Sequence, residues 1–312
     1  MKSFKIGLCD KRDRPRANPL EGNKMKQWIV ALIALWGVSA CSGPQVLNLV
    51  AQTPGPVEHN ISYGPLPRNT LDIYSPKVMT ADTPVLVFYH GGSWQYGSKD
   101  DYKFLGTAFA ARGIQTVIVN YRLHPDVIFP AFVEDGAKAL AYTQKSIAKG
   151  RPVFISGHSA GAHIAAMIAL DPEFLAAEGT SICEATKGVI GIAGPYDFTP
   201  VEPVFKRIFP TEILPSTKPI NYVGNKAPPM LLLHGTKDTT VDPKRSEQLA
   251  AALAEHSNLA QVKLYPGVEH LYIIGAISPV VRRSAPTLAD TVNFIQEQKA
   301  AGYPGCRNQV KS

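Results

Sequence analysis

Short apolar runs recur along this chain, each separated from the next by a stretch with helical spacing, and that rhythm constrains the fold more than any other feature. Residues 85–89 read Val-Leu-Val-Phe-Tyr, 116–120 Thr-Val-Ile-Val-Asn, 152–156 Pro-Val-Phe-Ile-Ser, 188–193 Gly-Val-Ile-Gly-Ile-Ala and 230–234 Met-Leu-Leu-Leu-His. Continuous apolar runs of this length belong to strands covered on both faces. A hairpin over 61–63 and 70–74, turning at Gly64 and Pro65, leads into them, and a strand over 261–265 closes the series. Helices are expected over 102–111, 132–145, 160–170, 244–256 and 285–299. Strands alternating with helices imply an α/β fold: a mainly parallel central sheet with helices on both faces. No linker divides residues 58–312. Residues 198–228 alone break the rhythm, being rich in Pro, Phe and Ile without a period. They are expected to form a small cap insertion at one end of the sheet, where open α/β sheets place ligands.

The chemistry sits in the turns that follow the strands. Gly157-His158-Ser159-Ala160-Gly161 is a G-x-S-x-G pentapeptide between the strand at 152–156 and the helix at 160–170. Alone the pattern is weak; the strand–turn–helix setting is what a nucleophile elbow requires. Upstream, His90-Gly91-Gly92-Ser93-Trp94 follows the strand at 85–89. A Gly-rich turn there can aim successive backbone N–H groups at one point, as an oxyanion hole needs.

A serine nucleophile needs a base, and the base an orienting acid. Of eight histidines, His59 falls near the amino-terminal linker, His256 ends a helix, and His163 lies one turn into the elbow helix. His158 adjoins the serine and points off the line of attack, His124 lies in the turn Tyr121–Pro125, His90 braces its own loop, and His234 ends a strand. His270, in Pro266-Gly267-Val268-Glu269-His270, is expected on a loop after the last strand and is the candidate base. Asp238 follows the preceding strand and is the candidate acid; Asp242 is the runner-up and Glu269 comes after it. Cysteine and histidine spacings give no zinc pattern, and no metal or organic cofactor is expected.

These motifs, in this order, resemble the α/β-hydrolase superfamily. The match is to carboxylesterases of the hormone-sensitive-lipase and acetyl/feruloyl-esterase-like branch, to which kynurenine formamidase is related. Tyr121-Arg122-Leu123, the segment Pro130-Ala131 to Glu134-Asp135, and Gly194-Pro195-Tyr196-Asp197-Phe198 add to it, so the resemblance covers about residues 60–298. It implies acyl transfer by Ser159, His270 and Asp238, with the N–H groups of Gly92, Ser93 and Ala160 as oxyanion hole and a small ester as substrate. Ser93 departs from the H-G-G-G of many members, keeping the N–H but adding a side chain. Trp94, Tyr96 and the aromatics of 198–228 are candidates to wall the substrate, with core and cap packing as the other reading of each. An arylformamidase or amidase with the same triad, or a hydrolase-fold binding module without catalysis, are the alternative readings.

The chain carries 32 Lys and Arg against 25 Asp and Glu, a formal charge of +7. Eight of the bases and three of the acids precede Cys41. The remainder is nearly neutral, with no basic helix or aromatic–basic platform, which argues against a nucleic-acid partner. Basic residues, the apolar run 28–38 and Ser39-Ala40-Cys41 form the pattern of a secretory signal. The run is about half of the ~20 residues a spanning helix needs. Val38-Ser39-Ala40-Cys41 resembles the bacterial lipobox, which implies a signal region over 1–40, with Met25 as an alternative start, and lipid on Cys41. It further implies a tether over 41–57 and a place in the cell envelope, at the outer membrane facing the periplasm. Cys183 and Cys306 then remain, as a disulfide pair in an oxidising compartment or as two unrelated free thiols.

Overall fold

The computed structural model describes residues 43–301. Eight strands form one sheet: β1 Val57–Ser62, β2 Thr70–Tyr74, β3 Val85–Tyr89, β4 Gln115–Val119, β5 Val153–His158, β6 Val189–Ile192, β7 Met230–Gly235 and β8 Ala260–Tyr265. Their order is β1-β2-β4-β3-β5-β6-β7-β8. The leading hairpin pairs antiparallel, β2 joins β4 antiparallel, and every pairing from β4 through β8 is parallel. The principal helices are α1 Gly43–Leu49, α2 Lys103–Ala110, α3 Ala131–Tyr142, α4 Ala160–Leu170, α5 Glu173–Ala176, α6 Ile182–Ala185, α7 Pro203–Ile208, α8 Lys244–Glu255, α9 His270–Gly275 and α10 Thr287–Ala301. Among the described residues, no helix is long and apolar enough to cross a membrane.

Side chains alternate across a strand, so a continuous apolar run feeds two cores at once. In β3, Val85, Val87 and Tyr89 join one cluster while Leu86 and Phe88 join the other. β5 divides the same way, Val153 and Ile155 against Phe154. Helix α4 is buried along its whole length, and its alanines let it lie close to the sheet. In the parallel register Tyr89 pairs with Gly157, Ile192 with His158 and Gly235 with Tyr265. The strand ends that carry the motifs are therefore aligned on one edge. Arg122 and Asp135, from two of the resemblance segments, meet there: Asp135 Oδ2 accepts from the Arg122 backbone N–H and from Nε, both at 2.8 Å.

Three expectations change. The segment expected to be a tether over 41–57 contains α1, which is docked: Asn48 Nδ2 donates to the Asp100 carbonyl and Asn48 Oδ1 accepts from the Phe104 N–H, each at 2.9 Å. Seven residues, Gly-Pro-Gln-Val-Leu-Asn-Leu, give too short a window to separate helix from linker by spacing. His270, expected on a loop, is the first residue of α9. The aperiodic insertion is α7 followed by two 3₁₀ segments, Thr211–Thr217 and Pro219–Tyr222. Met25, Cys41 and the signal region lie outside the described residues. Cys183 is disulfide-bonded; Cys306 also lies outside the described residues.

Candidate active site

Ser159 sits between β5 and α4 with φ 55° and ψ −119°, a region costly for a residue with a side chain. The turn is tight enough to exclude larger neighbours. A Cβ on Gly157 would run into the Gly161 carbonyl, and one on Gly161 into the Tyr89 carbonyl of β3. The Ser159 backbone N–H is held by the Ile192 carbonyl at 2.9 Å. Elbow strain is thus maintained by β3, β6 and α4 together.

The preceding turn is equally constrained. Gly92, Ser93 and Trp94 all have positive φ, at 125°, 54° and 58°. His90 is its brace, as expected from sequence: Nδ1 donates to the Gly91 carbonyl at 2.7 Å, and the ring stacks on Tyr121 at 4.3 Å. Burial and, less strongly, the nearby Arg68 charge push its pKa down to about 3 against a raising contribution from the Gly91 carbonyl, so the ring is neutral. Arg68 ties the turn from outside, donating through Nε to the Tyr121 carbonyl at 2.6 Å and through Nη2 to the Gly97 carbonyl at 3.0 Å. The Tyr121 hydroxyl donates to the His90 carbonyl at 2.6 Å. Among the described residues, the N–H groups of Gly92, Ser93 and Ala160 donate to no protein acceptor.

Asp238 and His270 meet at 2.6 Å, His270 Nδ1 donating to Asp238 Oδ2. The carboxylate is fully used. Oδ1 accepts from the N–H groups of Thr240 and Val241, each at 2.9 Å, and His234 Nε2 lies 3.2 Å from Oδ2. Burial alone would raise the Asp238 pKa; hydrogen bonds from His234, His270 and the Val241 backbone outweigh it and hold the acid well below the usual carboxylate range. With Nδ1 donating, the Nε2 of His270 is left as the basic nitrogen. Asp242, the sequence runner-up, is exposed and accepts from the Lys244 N–H at 3.0 Å. Glu269 is exposed. Neither side chain pairs with the His270 ring, which is held by Asp238.

The Ser159 hydroxyl has no hydrogen bond to the His270 ring. What joins the two segments is His158, whose Nε2 donates to the His270 carbonyl at 3.0 Å and whose ring centroid lies 4.7 Å from that of His270. Burial, then the neighbouring imidazole of His270, lowers the His158 pKa to about 3. A cavity of about 300 Å³ opens on Ser159, walled by Ser93, Trp94, Phe198, Phe205, Val241 and Arg245 among others. Trp94 is a wall residue, as expected; Tyr96 is not, being 69% exposed and outside the cavity. The cap is fastened to the elbow helix by His163, whose Nε2 donates to the Thr217 carbonyl at 2.7 Å, and Phe198 and Phe209 pack on Trp94 at 5.5 and 4.7 Å. Arg68, His234 and the tie between His158 and His270 were not assigned from sequence. His234 lies at the end of β7, ahead of Asp238 in the chain, but only the fold turns its ring onto Asp238.

A mainly parallel sheet with a serine at a strained strand-to-helix elbow, preceded by a Gly-rich turn, defines an α/β-hydrolase. The chain belongs to the BD-FAE family, whose model matches residues 71–253. It is 29% identical over 69% of its length to a probable isoprenylcysteine alpha-carbonyl methylesterase of Arabidopsis thaliana, covering 51% of that protein. It is 26% identical over 69% of its length to a kynurenine formamidase of Salmo salar, covering 75% of it. The chain spans about half the length of the first of these relatives. Among solved structures, a truncated carbohydrate esterase from gut microbiota superposes with a TM-score of 0.69 at 21% identity, over 80% of this chain and 98% of that one. That likeness is one of fold.

Proposed function

We propose that this protein is a serine carboxylic ester hydrolase that acts through an acyl-enzyme on small to medium acyl or aryl esters. The observation that carries the reading is the buried Asp238–His270 pair at 2.6 Å, beside an elbow whose serine opens on the cavity. His270 Nε2 takes the Ser159 proton as Oγ attacks the carbonyl carbon, and ionised Asp238 stabilises the imidazolium. The unused N–H groups of Gly92, Ser93 and Ala160 receive the oxyanion, donors of this type contributing about 3 kcal/mol each. The imidazolium then protonates the leaving alcohol. Water, deprotonated by His270, attacks the acyl-enzyme and frees Ser159. Nucleophile–base hydrogen bonds are commonly long before substrate binds, which accommodates the open Ser159 hydroxyl.

A hydrolysis panel of short- and long-acyl esters, aryl esters and N-formylkynurenine tests this, with a fluorophosphonate probe. Ester turnover and probe labelling, both lost in Ser159→Ala, are expected; no turnover and no labelling would overturn the enzyme reading. Preference for N-formylkynurenine would favour the formamidase reading, which the likeness to the Salmo salar formamidase keeps open. We also propose that Cys41 carries lipid and places the domain in the bacterial envelope, at the outer membrane facing the periplasm. Palmitate label retained in Cys41→Ala would sink that anchor.

A further inference from the structure

Resting on acylation at Cys41, the docked position of α1 bears on how the domain meets a membrane. Three residues of extended chain reach at most about 10 Å, so lipid on Cys41 would hold Pro44 within roughly that distance of the bilayer surface. The two hydrogen bonds of Asn48 then transmit the constraint to the body. A link this short keeps α1 beside the bilayer, so the face that carries α1 is the one brought to it.

The surface brought to the bilayer is apolar. Pro44, Leu47 and Phe104 form one side of a groove of about 230 Å³, with Leu271, Tyr272 and Val281 also lining it. Around it, Leu49 is 78% exposed, Leu271 71%, Tyr272 54% and Val280 53%. Single exposed apolar side chains are ordinary, whereas a set grouped about an apolar groove marks a contact surface. Arg282 and Arg283 follow Val281 directly and are exposed, and Arg112 lies close enough for its charge to act on Arg282. Asp100, the acid beside α1, is paired with Lys99 at 2.8 Å.

We propose that this face, from α1 across Leu271 and Tyr272 to Arg283, lies on the bilayer, its apolar side chains in the headgroup boundary and its arginines on anionic headgroups. Leu271 directly follows His270, so the catalytic base stands at the membrane side of the site.

The test uses the acylated protein in vesicles of phosphatidylethanolamine and phosphatidylglycerol with brominated acyl chains. Tryptophan is placed in turn at Leu49→Trp, Leu271→Trp and, as control near the opposite edge of the sheet, Lys145→Trp, each read against the wild-type background. Quenching several-fold stronger at 49 and 271 than at 145 is expected. Equal quenching at all three positions in palmitate-labelled protein would overturn the orientation and leave the anchor standing. Absence of palmitate label would overturn the anchor itself. A stable dimer in detergent that shields positions 49 and 271 would assign the face to a second copy and also overturn the proposal.

Discussion

At the scale of single residues, the site depends on how completely Asp238 is satisfied. Four donors hold its carboxylate, and only one of them is the candidate base, His270. Asp238→Asn is expected to lower kcat by about 10⁴, the cost of presenting the wrong tautomer in a related triad, whereas Asp242→Asn should change it little. Steady-state kinetics on the preferred ester decide between the two acids. His234 acts on the acid without facing the cavity. Its Nε2 points to both Asp238 Oδ2 and the Val241 carbonyl, at 3.2 and 3.0 Å, and its Nδ1 accepts from the Ser246 hydroxyl at 2.7 Å. His234→Leu should therefore reduce kcat while leaving KM near its original value; a change confined to KM would contradict a positioning role. The candidate Ser159, Asp238 and His270 were legible from chain order and strand context. The supporting Arg68 and His234 were not: Arg68 binds backbone carbonyls far along the chain, and His234 reaches Asp238, four residues on, only through the shape of the turn after β7.

At the scale of elements, the elbow and the cap behave differently. The elbow is overdetermined by neighbours on three sides, so Gly161→Ala has nowhere to place its methyl group except against the Tyr89 carbonyl. It should destabilise by about 3 kcal/mol, the upper end for overpacking, and abolish turnover; thermal melting alongside the activity assay checks both. The cap is held by fewer ties. Removing the hydrogen bond from His163 to the Thr217 carbonyl in His163→Leu leaves that carbonyl buried without its donor. Faster amide exchange over residues 211–222 and a rise in KM larger than any fall in kcat are expected. Strands and long helices were read closely from apolar runs: 85–89 matches β3, and 160–170 matches α4. The elements inside the cap and α1 escaped that reading, since short or 3₁₀ segments carry too few turns to show a period.

At the scale of the whole molecule, buried histidines couple stability to pH. His90 and His158 are lowered to about 3, and His163 to about 4, burial being the main cause in each. The unfolded chain takes up these protons near pH 6.5 while the native state does not, so stability falls as pH drops below 6.5 toward the native values. Between pH 7 and pH 5 each should cost about 2 kcal/mol, measured by urea unfolding at the two pH values; an unchanged free energy would show that the rings are protonated in the fold. Asp238 works in a lower window. Its native pKa is depressed, so its contribution is full above its unfolded value near ~3.9 and is lost only as pH falls through that value and below.

The sequence alone determined the class of fold, because strands buried on both faces must be apolar at every position and helices between them must be amphipathic. It also determined the order of the reactive turns, since a nucleophile elbow tolerates only small residues beside its serine. The register of the sheet decided what those patterns could not: it brought the Gly-rich turn, Ser159, Asp238 and His270 to one edge. Packing then turned His234 onto the acid, fastened the cap to α4, and docked α1 against the body. The cap and α1 contacts join residues far apart in the chain, and all three geometries exist only once the sheet has assembled.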